Sequence, residues 1–189
     1  MPTNSSRLRR AAAVLAAAVA MLTANMVTAS PAAASGTYSG RAYVYGTGSH
    51  TDDWNDEGIL QRSTHASSNA TCLWQAILYA DGKLTSPSEI DGVFGTKTYN
   101  ATRAWQQTET SEWGADLEVD GSVGEETFTW AGRYVSYLSG STAAGQTLNL
   151  RYVGVFGDVT MRRLPDGNYE FIDGDGAWRK AGYNYRSCS

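Results

Sequence analysis

The first clear pattern in the chain is a run of apolar residues at helical spacing, starting at Ser68 or Asn69. Its apolar residues recur three and four positions apart: Ala70, Leu73, Trp74, Ile77 and Leu78. This spacing predicts a helix with one apolar face. Gly82 suits the position just after the helix, because glycine readily adopts the left-handed backbone found there.

Two further helices are predicted downstream. The second runs from about residue 96 to residue 107, and its stripe consists of Thr98, Ala101 and Trp105. The third runs from about Glu125 to Leu138, and its stripe consists of Phe128, Ala131, Val135 and Leu138. Glu125 and Glu126 favour the start of the third helix, because carboxylates are stabilised at a helix N-terminus.

On either side of the helices the apolar period changes to two, which is typical of strands. Between residues 38 and 50, Tyr43 and Tyr45 alternate with smaller residues and predict an N-terminal strand. Residues 140–146 are predicted to be a linker. Beyond it the alternation resumes at Leu148, Leu150, Tyr152, Val159, Met161, Tyr169 and Phe171. Turn sequences at residues 164–168 and 173–176 separate these runs, so an antiparallel meander is predicted.

A ten-residue stretch occurs twice, as EIDGVFGTKT at residues 89–98 and as EVDGSVGEET at residues 118–127. Each copy has Asp-Gly, two residues, Gly, two residues and Thr, and each lies directly before a predicted helix. The apolar residues inside the copies, Phe94 and Val123, are predicted to enter the core. The repeat is therefore interpreted as a turn that starts a helix and is used twice.

Taken together, these segments resemble the peptidoglycan-binding domain of bacterial cell-wall enzymes. The resemblance is carried by TCLWQAIL at residues 71–78, DGVFGTKTYNATRAWQ at 91–106 and LEVDGSVGEETF at 117–128. It covers roughly residues 68–132. It implies a three-helix core that docks non-covalently on cell-wall peptidoglycan. The chain departs from the family at Trp74, Trp105 and Asp116 and in the acidic insert at residues 108–115.

The predicted fold class is α+β, with a three-helix peptidoglycan-binding-like bundle, an N-terminal strand and a C-terminal antiparallel β meander. Residues 1–34 are predicted to be a signal peptide, because three arginines precede an apolar run and a small-residue cleavage site. Residues 35–66 are assigned to the strand and its loop. Residues 67–140 are assigned to the three-helix domain, and residues 141–189 to the meander.

Signal cleavage would leave 12 Lys and Arg against 19 Asp and Glu, a formal charge of −7. An acidic chain lacks the positive surface that nucleic acids and anionic membranes attract, so neither is an expected partner. The expected partner is peptidoglycan, and the expected location is outside the cell, in association with the wall. The oligomeric state is not specified by the sequence.

The chain has two cysteines, Cys72 and Cys188. In an exported protein a disulfide between them is the default expectation, because the compartment is oxidising. Two buried thiols are the alternative. A bridge would tie the C-terminus to the first helix.

Sugar rings offer C–H faces on which aromatic side chains stack. The residues predicted to contact peptidoglycan fall off the apolar stripes of the helices: Tyr99, Arg103, Trp113 and Trp130. No cofactor and no metal are expected. His50 and His65 with nearby aspartates match no metal-binding motif, and they are interpreted as loop residues.

Three functions stay open at this point. The first is a secreted, non-catalytic protein that binds peptidoglycan. The second is a small secreted cell-wall hydrolase with an unrecognised active site, because so many carboxylates always allow some catalytic pair. The third is a protein-interaction module on the same fold. No catalytic residue is predicted, and binding to insoluble wall without clearing it would favour the first function.

Overall fold

The computed structural model describes residues 40–188, so the predicted signal peptide lies outside the described residues. The helices are α1 (Asn69–Ala80), α2 (Thr96–Trp113) and α3 (Glu125–Gly132), with a short 3₁₀ turn at Pro87–Glu89. The strands are β1 (Val135–Gly140), β2 (Leu148–Val153), β3 (Asp158–Arg163), β4 (Tyr169–Ile172) and β5 (Trp178–Lys180). None of the helices within residues 40–188 has the length and apolar character needed to cross a membrane.

The first two helices follow the sequence pattern. Helix α1 is capped by Ser68, whose side chain accepts a hydrogen bond from the backbone N–H of Thr71 at 3.1 Å. Helix α2 begins at the predicted residue but continues to Trp113, where Gly114 ends it in a left-handed conformation. Most of the acidic insert at residues 108–115 is therefore helical.

The prediction of a three-helix bundle is wrong. Helix α3 ends at Gly132, and the chain from Val135 onward forms strand β1 instead of a continued helix. Val135 pairs with Tyr152 of β2, and both side chains are buried. Over so short a run, helical and strand spacing are hard to tell apart, so pairing with the neighbouring strand decides the conformation. The fold is α+β, with three helices and one antiparallel sheet.

The predicted C-terminal meander is present, and it gains β1 as an extra strand. The five strands are ordered β1-β2-β3-β4-β5, and each neighbouring pair is antiparallel. The residues of the two-residue period are buried: Leu148, Leu150, Tyr152, Val159, Met161, Tyr169 and Phe171. Charged residues lie on the other face, where Arg151 and Asp158 form an ion pair at 2.9 Å.

The predicted N-terminal strand is reduced to two isolated bridges, at Tyr43 and Tyr45. Between them Val44 is fully buried. Its N–H donates to the carbonyl of Ala181, and its carbonyl accepts from the N–H of Tyr169. The segment is irregular because its backbone is shared between the end of the sheet and the C-terminal tail.

The predicted helical core is buried as expected. Its members have low exposure: Trp74, Leu78, Phe94, Ala101, Trp105, Val123, Phe128 and Ala131. The rings of Trp74 and Trp105 meet edge to face, with centroids 5.2 Å apart. Such pairs add to the large apolar area that each ring removes from water.

One carboxylate joins the helices to the sheet. Asp81 follows the last residue of α1, and its Oδ2 accepts from Trp105 Nε1 at 2.7 Å and from the hydroxyl of Tyr152 at 2.6 Å. Its Oδ1 accepts from the backbone N–H of Val155 at 3.1 Å. Burial, followed by the charge of Asp81, raises the pKa of Tyr152 well above its ordinary value.

The predicted disulfide between Cys72 and Cys188 is confirmed, and it joins residues 116 positions apart in the sequence. Closing so long a loop removes chain entropy from the unfolded state, which corresponds to about 4–5 kcal/mol in the chain-entropy account. The bridge holds the C-terminal tail against the start of α1.

Glu57 is a fully buried carboxylate that links segments from both ends of the described chain. Its Oε1 accepts from the N–H of Tyr45 at 2.7 Å, and its Oε2 accepts from the hydroxyl of Tyr183. Burial raises the pKa of Glu57 to about 7, helped by the charges of Asp56 and Asp53, although the two hydrogen bonds oppose the rise.

We expect the free energy of unfolding to fall as the pH rises from about 4.5 to about 7. Between these values the folded state keeps the proton of Glu57 and the unfolded state has lost it, so raising the pH favours unfolding. The full effect is roughly 3 kcal/mol. Urea denaturation of wild type and Glu57→Gln across this pH range measures it.

The Glu57→Gln variant should lack this part of the pH dependence. Glu112→Gln is the matched control, because Glu112 is exposed and should keep the wild-type profile. The same slope in wild type and in Glu57→Gln would contradict the prediction.

Candidate functional site

The first copy of the repeated stretch is built around the side-chain amide of Gln75. Its Oε1 accepts from the N–H of Gly92 at 2.7 Å. Its Nε2 donates to Asp91 Oδ1 at 2.9 Å and to the carbonyl of Val93 at 3.1 Å. The same nitrogen donates to Thr98 Oγ1 at 2.9 Å. One buried glutamine thus bonds to four polar groups of the turn and of the helix that follows it.

The second copy has the same arrangement around Gln106. Its Oε1 accepts from the N–H of Gly121 at 2.9 Å. Its Nε2 donates to Asp120 Oδ1 at 3.2 Å and to the carbonyl of Ser122 at 2.8 Å. It also lies 3.2 Å from Thr127 Oγ1. The repeated stretch is therefore a pair of equivalent turns, and each leads into a helix as predicted.

The helices that carry the glutamines repeat as well, which the sequence analysis missed. Residues 69–75 read NATCLWQ and residues 100–106 read NATRAWQ. The two segments are identical at five of seven positions and lie 31 residues apart, so the repeat can be found in the sequence alone. Each repeat unit is thus a helix followed by an Asp-Gly turn: α1 with the turn at Gly92 is the first unit, and α2 with the turn at Gly121 is the second.

The four residues predicted to contact peptidoglycan fall into two pairs. Trp113 and Trp130 line one hollow of about 720 Å³ between the end of α2 and the start of α3. We call it the tryptophan hollow, and its polar lining includes Asp116, Glu126, Thr129 and Arg133. Tyr99 and Arg103 lie together elsewhere on α2.

The two rings of the tryptophan hollow differ in exposure and support. Trp113 is 62% exposed, which is unusual for so large an apolar side chain. Trp130 is half-buried and fixed, because its Nε1 donates to Glu109 Oε2 at 2.7 Å. The guanidinium of Arg133 lies 4.1 Å from the centroid of the Trp130 ring.

Glu109 is the support beneath Trp130. Besides the indole N–H, its Oε2 accepts from the hydroxyl of Tyr134 at 2.6 Å. Burial, followed by the bond to Glu109, raises the pKa of Tyr134, so its hydroxyl stays a donor at physiological pH. The carboxylate therefore orients the half-buried ring from behind.

The second pair lies on the Asp-Gly turn of the second unit, beside Arg62. We call Arg62, Tyr99 and Arg103 the arginine-tyrosine face. The guanidinium of Arg62 lies 4.1 Å from the centroid of the Tyr99 ring. Arg103 is held by a hydrogen bond from its Nε to the carbonyl of Val119 at 3.2 Å. Gly121 has φ +78°, and a Cβ there would lie 2.5 Å from the Tyr99 ring. Only glycine therefore allows the Tyr99 ring to pack directly on this turn.

An apolar groove of about 590 Å³ lies between α1 and the β2–β3 turn, where Phe156 is 79% exposed. Its lining is mainly apolar, and its polar side chains are Tyr79, Thr85, Asp158, Thr160 and Asp173. Asp53 and Glu57 are buried carboxylates whose pKa values are raised. Both are hydrogen-bonded inside the protein, and neither lines the tryptophan hollow or the apolar groove. Within residues 40–188, no cluster of His, Cys, Asp and Glu could hold a metal ion.

We expect Gln75→Ala and Gln106→Ala each to lower the free energy of unfolding by about 3 kcal/mol, because each leaves several buried polar groups without a partner. Gln107→Ala is the matched control, since Gln107 is exposed on the same helix as Gln106. Urea denaturation measures all three. An unchanged free energy of unfolding in Gln75→Ala and Gln106→Ala, or an equal loss in Gln107→Ala, would contradict the prediction.

Comparison with known proteins gives no match: no protein-family model matches the chain, and no curated protein or solved structure is significantly similar to it. The resemblance to the peptidoglycan-binding domain therefore stays a prediction that rests on the motifs at residues 71–78, 91–106 and 117–128.

Proposed function

We propose that this protein is secreted and binds cell-wall peptidoglycan without cleaving it, with the glycan strand in contact with the tryptophan hollow. The observation that carries the proposal is that Trp113 and Trp130 line the same hollow. Both residues are predicted from the sequence to contact peptidoglycan. The motif resemblance points to the same ligand.

The chemistry of the hollow suits a carbohydrate. Indole rings stack on the C–H faces of sugars, while carboxylates and hydroxyls accept and donate hydrogen bonds to sugar hydroxyls. Asp116 and Glu126 are exposed carboxylates at the rim, and Thr129 adds a hydroxyl. A large ring such as Trp113 is costly to leave in water, and a sugar would cover it.

The support behind Trp130 favours binding as well. A ring that is already held by Glu109 and Arg133 loses little freedom when a ligand arrives. Preorganisation of this kind raises affinity because less ordering entropy is lost on binding.

Secretion is supported by the signal-like N-terminal sequence and by the disulfide. Disulfides persist in oxidising compartments, and the Cys72–Cys188 bridge is the only pairing open to a chain with two cysteines. A wall-binding protein outside the cell would meet this condition.

Trp113→Ala should weaken co-sedimentation with purified peptidoglycan by about tenfold, which corresponds to about 1.4 kcal/mol, because a stacking surface is lost. The free energy of unfolding should change little, since the ring is mostly exposed. Phe156→Ala is the matched control, because it removes another exposed aromatic ring, at the apolar groove.

The control variant should sediment like the wild type. Binding that is unchanged in Trp113→Ala, or no sedimentation of the wild type at all, would rule the proposal out. A turbidity assay run in parallel distinguishes a binder from a hydrolase, since the proposal expects no clearing of the wall suspension.

A further inference from the structure

The first repeat unit already binds a peptide segment, the C-terminal tail of the chain. The side chain of Asn69 makes most of the contact. Its Oδ1 accepts from the N–H of Ser187 at 2.8 Å and from the N–H of Cys188 at 3.3 Å. Its Nδ2 donates to Ser187 Oγ at 3.0 Å, and its backbone N–H donates to the carbonyl of Tyr185.

The tail also covers the Asp-Gly turn of the first unit. A Cβ at Gly92 would lie 2.8 Å from Arg186 Cδ and 2.8 Å from Cys188 Sγ, so the tail packs directly on this glycine. The guanidinium of Arg186 donates to the carbonyl of Asp91 at 2.7 Å. The disulfide to Cys72 then fixes the tail in place.

The second unit has an asparagine and a glycine in the corresponding positions, although Asn69 is the first residue of α1 and Asn100 lies within α2. At a spacing of 31 residues, Asn69 corresponds to Asn100 and Cys72 to Arg103. Gly121 corresponds to Gly92 in the turn. Asn100 is exposed, and the contacts over Gly121 come from side chains of the arginine-tyrosine face rather than from a segment of backbone.

We propose that the second unit binds a short peptide from another molecule, with Asn100 pairing with the peptide backbone and a peptide carboxylate lying on Arg62 and Arg103. Where Cys72 of the first unit binds the tail covalently, the second unit has Arg103, whose guanidinium would bind the peptide through charge. The inference rests on the proposed function, because peptidoglycan carries short peptides with free carboxylates, and it names these peptides as the part recognised here.

The charges favour a carboxylate. Arg62 and Arg103 are exposed, and neither forms an ion pair with a residue in the described range. Guanidinium groups bind carboxylates through paired hydrogen bonds. Asp120 on the same turn accepts through Oδ1 from Gln106 and from the N–H of Ser122, so this carboxylate is held by neutral donors of the turn rather than by either arginine.

The asparagine favours a peptide over a simple anion. A side-chain amide both donates and accepts, and Asn69 uses both capacities on the tail. An inorganic phosphate has no backbone N–H and carbonyl to pair with Asn100, and at neutral pH its only donor is a P–OH group. Peptide and phosphate are therefore distinguishable by their dependence on this residue.

The test is a calorimetric titration of the full secreted chain with a synthetic tetrapeptide that has a free carboxyl terminus, and with the same peptide as its C-terminal amide. We expect the amide to bind about tenfold more weakly, and Arg103→Gln and Asn100→Ala each to weaken the carboxylate peptide by a similar factor. Arg151→Gln is the matched control, since it removes an exposed guanidinium from the open face of the sheet and should leave peptide binding unchanged.

Equal binding of the two peptides, no binding of either, or unchanged binding in Arg103→Gln would overturn the inference. Inorganic phosphate that competes as well as the peptide, independently of Asn100, would show an anion site and would also overturn it. Melting temperatures equal to that of the wild type are required of both variants. If sedimentation with the wall depends on Trp113 but the peptide does not bind, only this inference is refuted. If the peptide binds but sedimentation does not depend on Trp113, only the glycan contact at the tryptophan hollow is refuted.

Discussion

The fold depends on how two Asp-Gly turns satisfy their buried backbone groups. Each turn points an N–H and a carbonyl toward the preceding helix, and a glutamine amide from that helix meets both. An amide is suited to this task because it donates and accepts at once. Gln75 and Gln106 thereby fix where α2 and α3 begin and in which direction they leave, and the rest of the helical layer follows from that.

The helical layer and the sheet are then joined by a few polar contacts inside an apolar core. Asp81 binds Trp105 from α2 and Tyr152 from β2, so one carboxylate sets the position of three elements. The Cys72–Cys188 bridge and Glu57 tie in the chain ends. Groups of this kind specify one arrangement, since each loses its partners if the layers slip.

The two candidate surfaces arise from the ends of the same helix. Helix α2 carries Tyr99 and Arg103 in its first half and Trp113 at its end, so one rigid element presents an electrostatic face and contributes to an aromatic hollow. Peptidoglycan combines sugars with carboxylate-bearing peptides, and the two surfaces have the matching chemistries. The proposed contacts are thus parts of a single scaffold, in which the turn of the first repeat unit is covered by the tail and that of the second by the side chains of Tyr99 and Arg103.

Local pattern predicted the first two helices, the buried core positions and the meander, because apolar spacing acts over short distances. Two cysteines allow a single pairing, and the structure decided between that bridge and two buried thiols. Local pattern failed where two conformations share a pattern: residues after Gly132 fit a helix until Val135 finds Tyr152 on β2. It also named Tyr99, Arg103, Trp113 and Trp130 without showing that they form two separate surfaces. That grouping, and the contrast between Asn69 under the tail and Asn100 in solvent, come from the packing of distant segments, which only the tertiary structure decides.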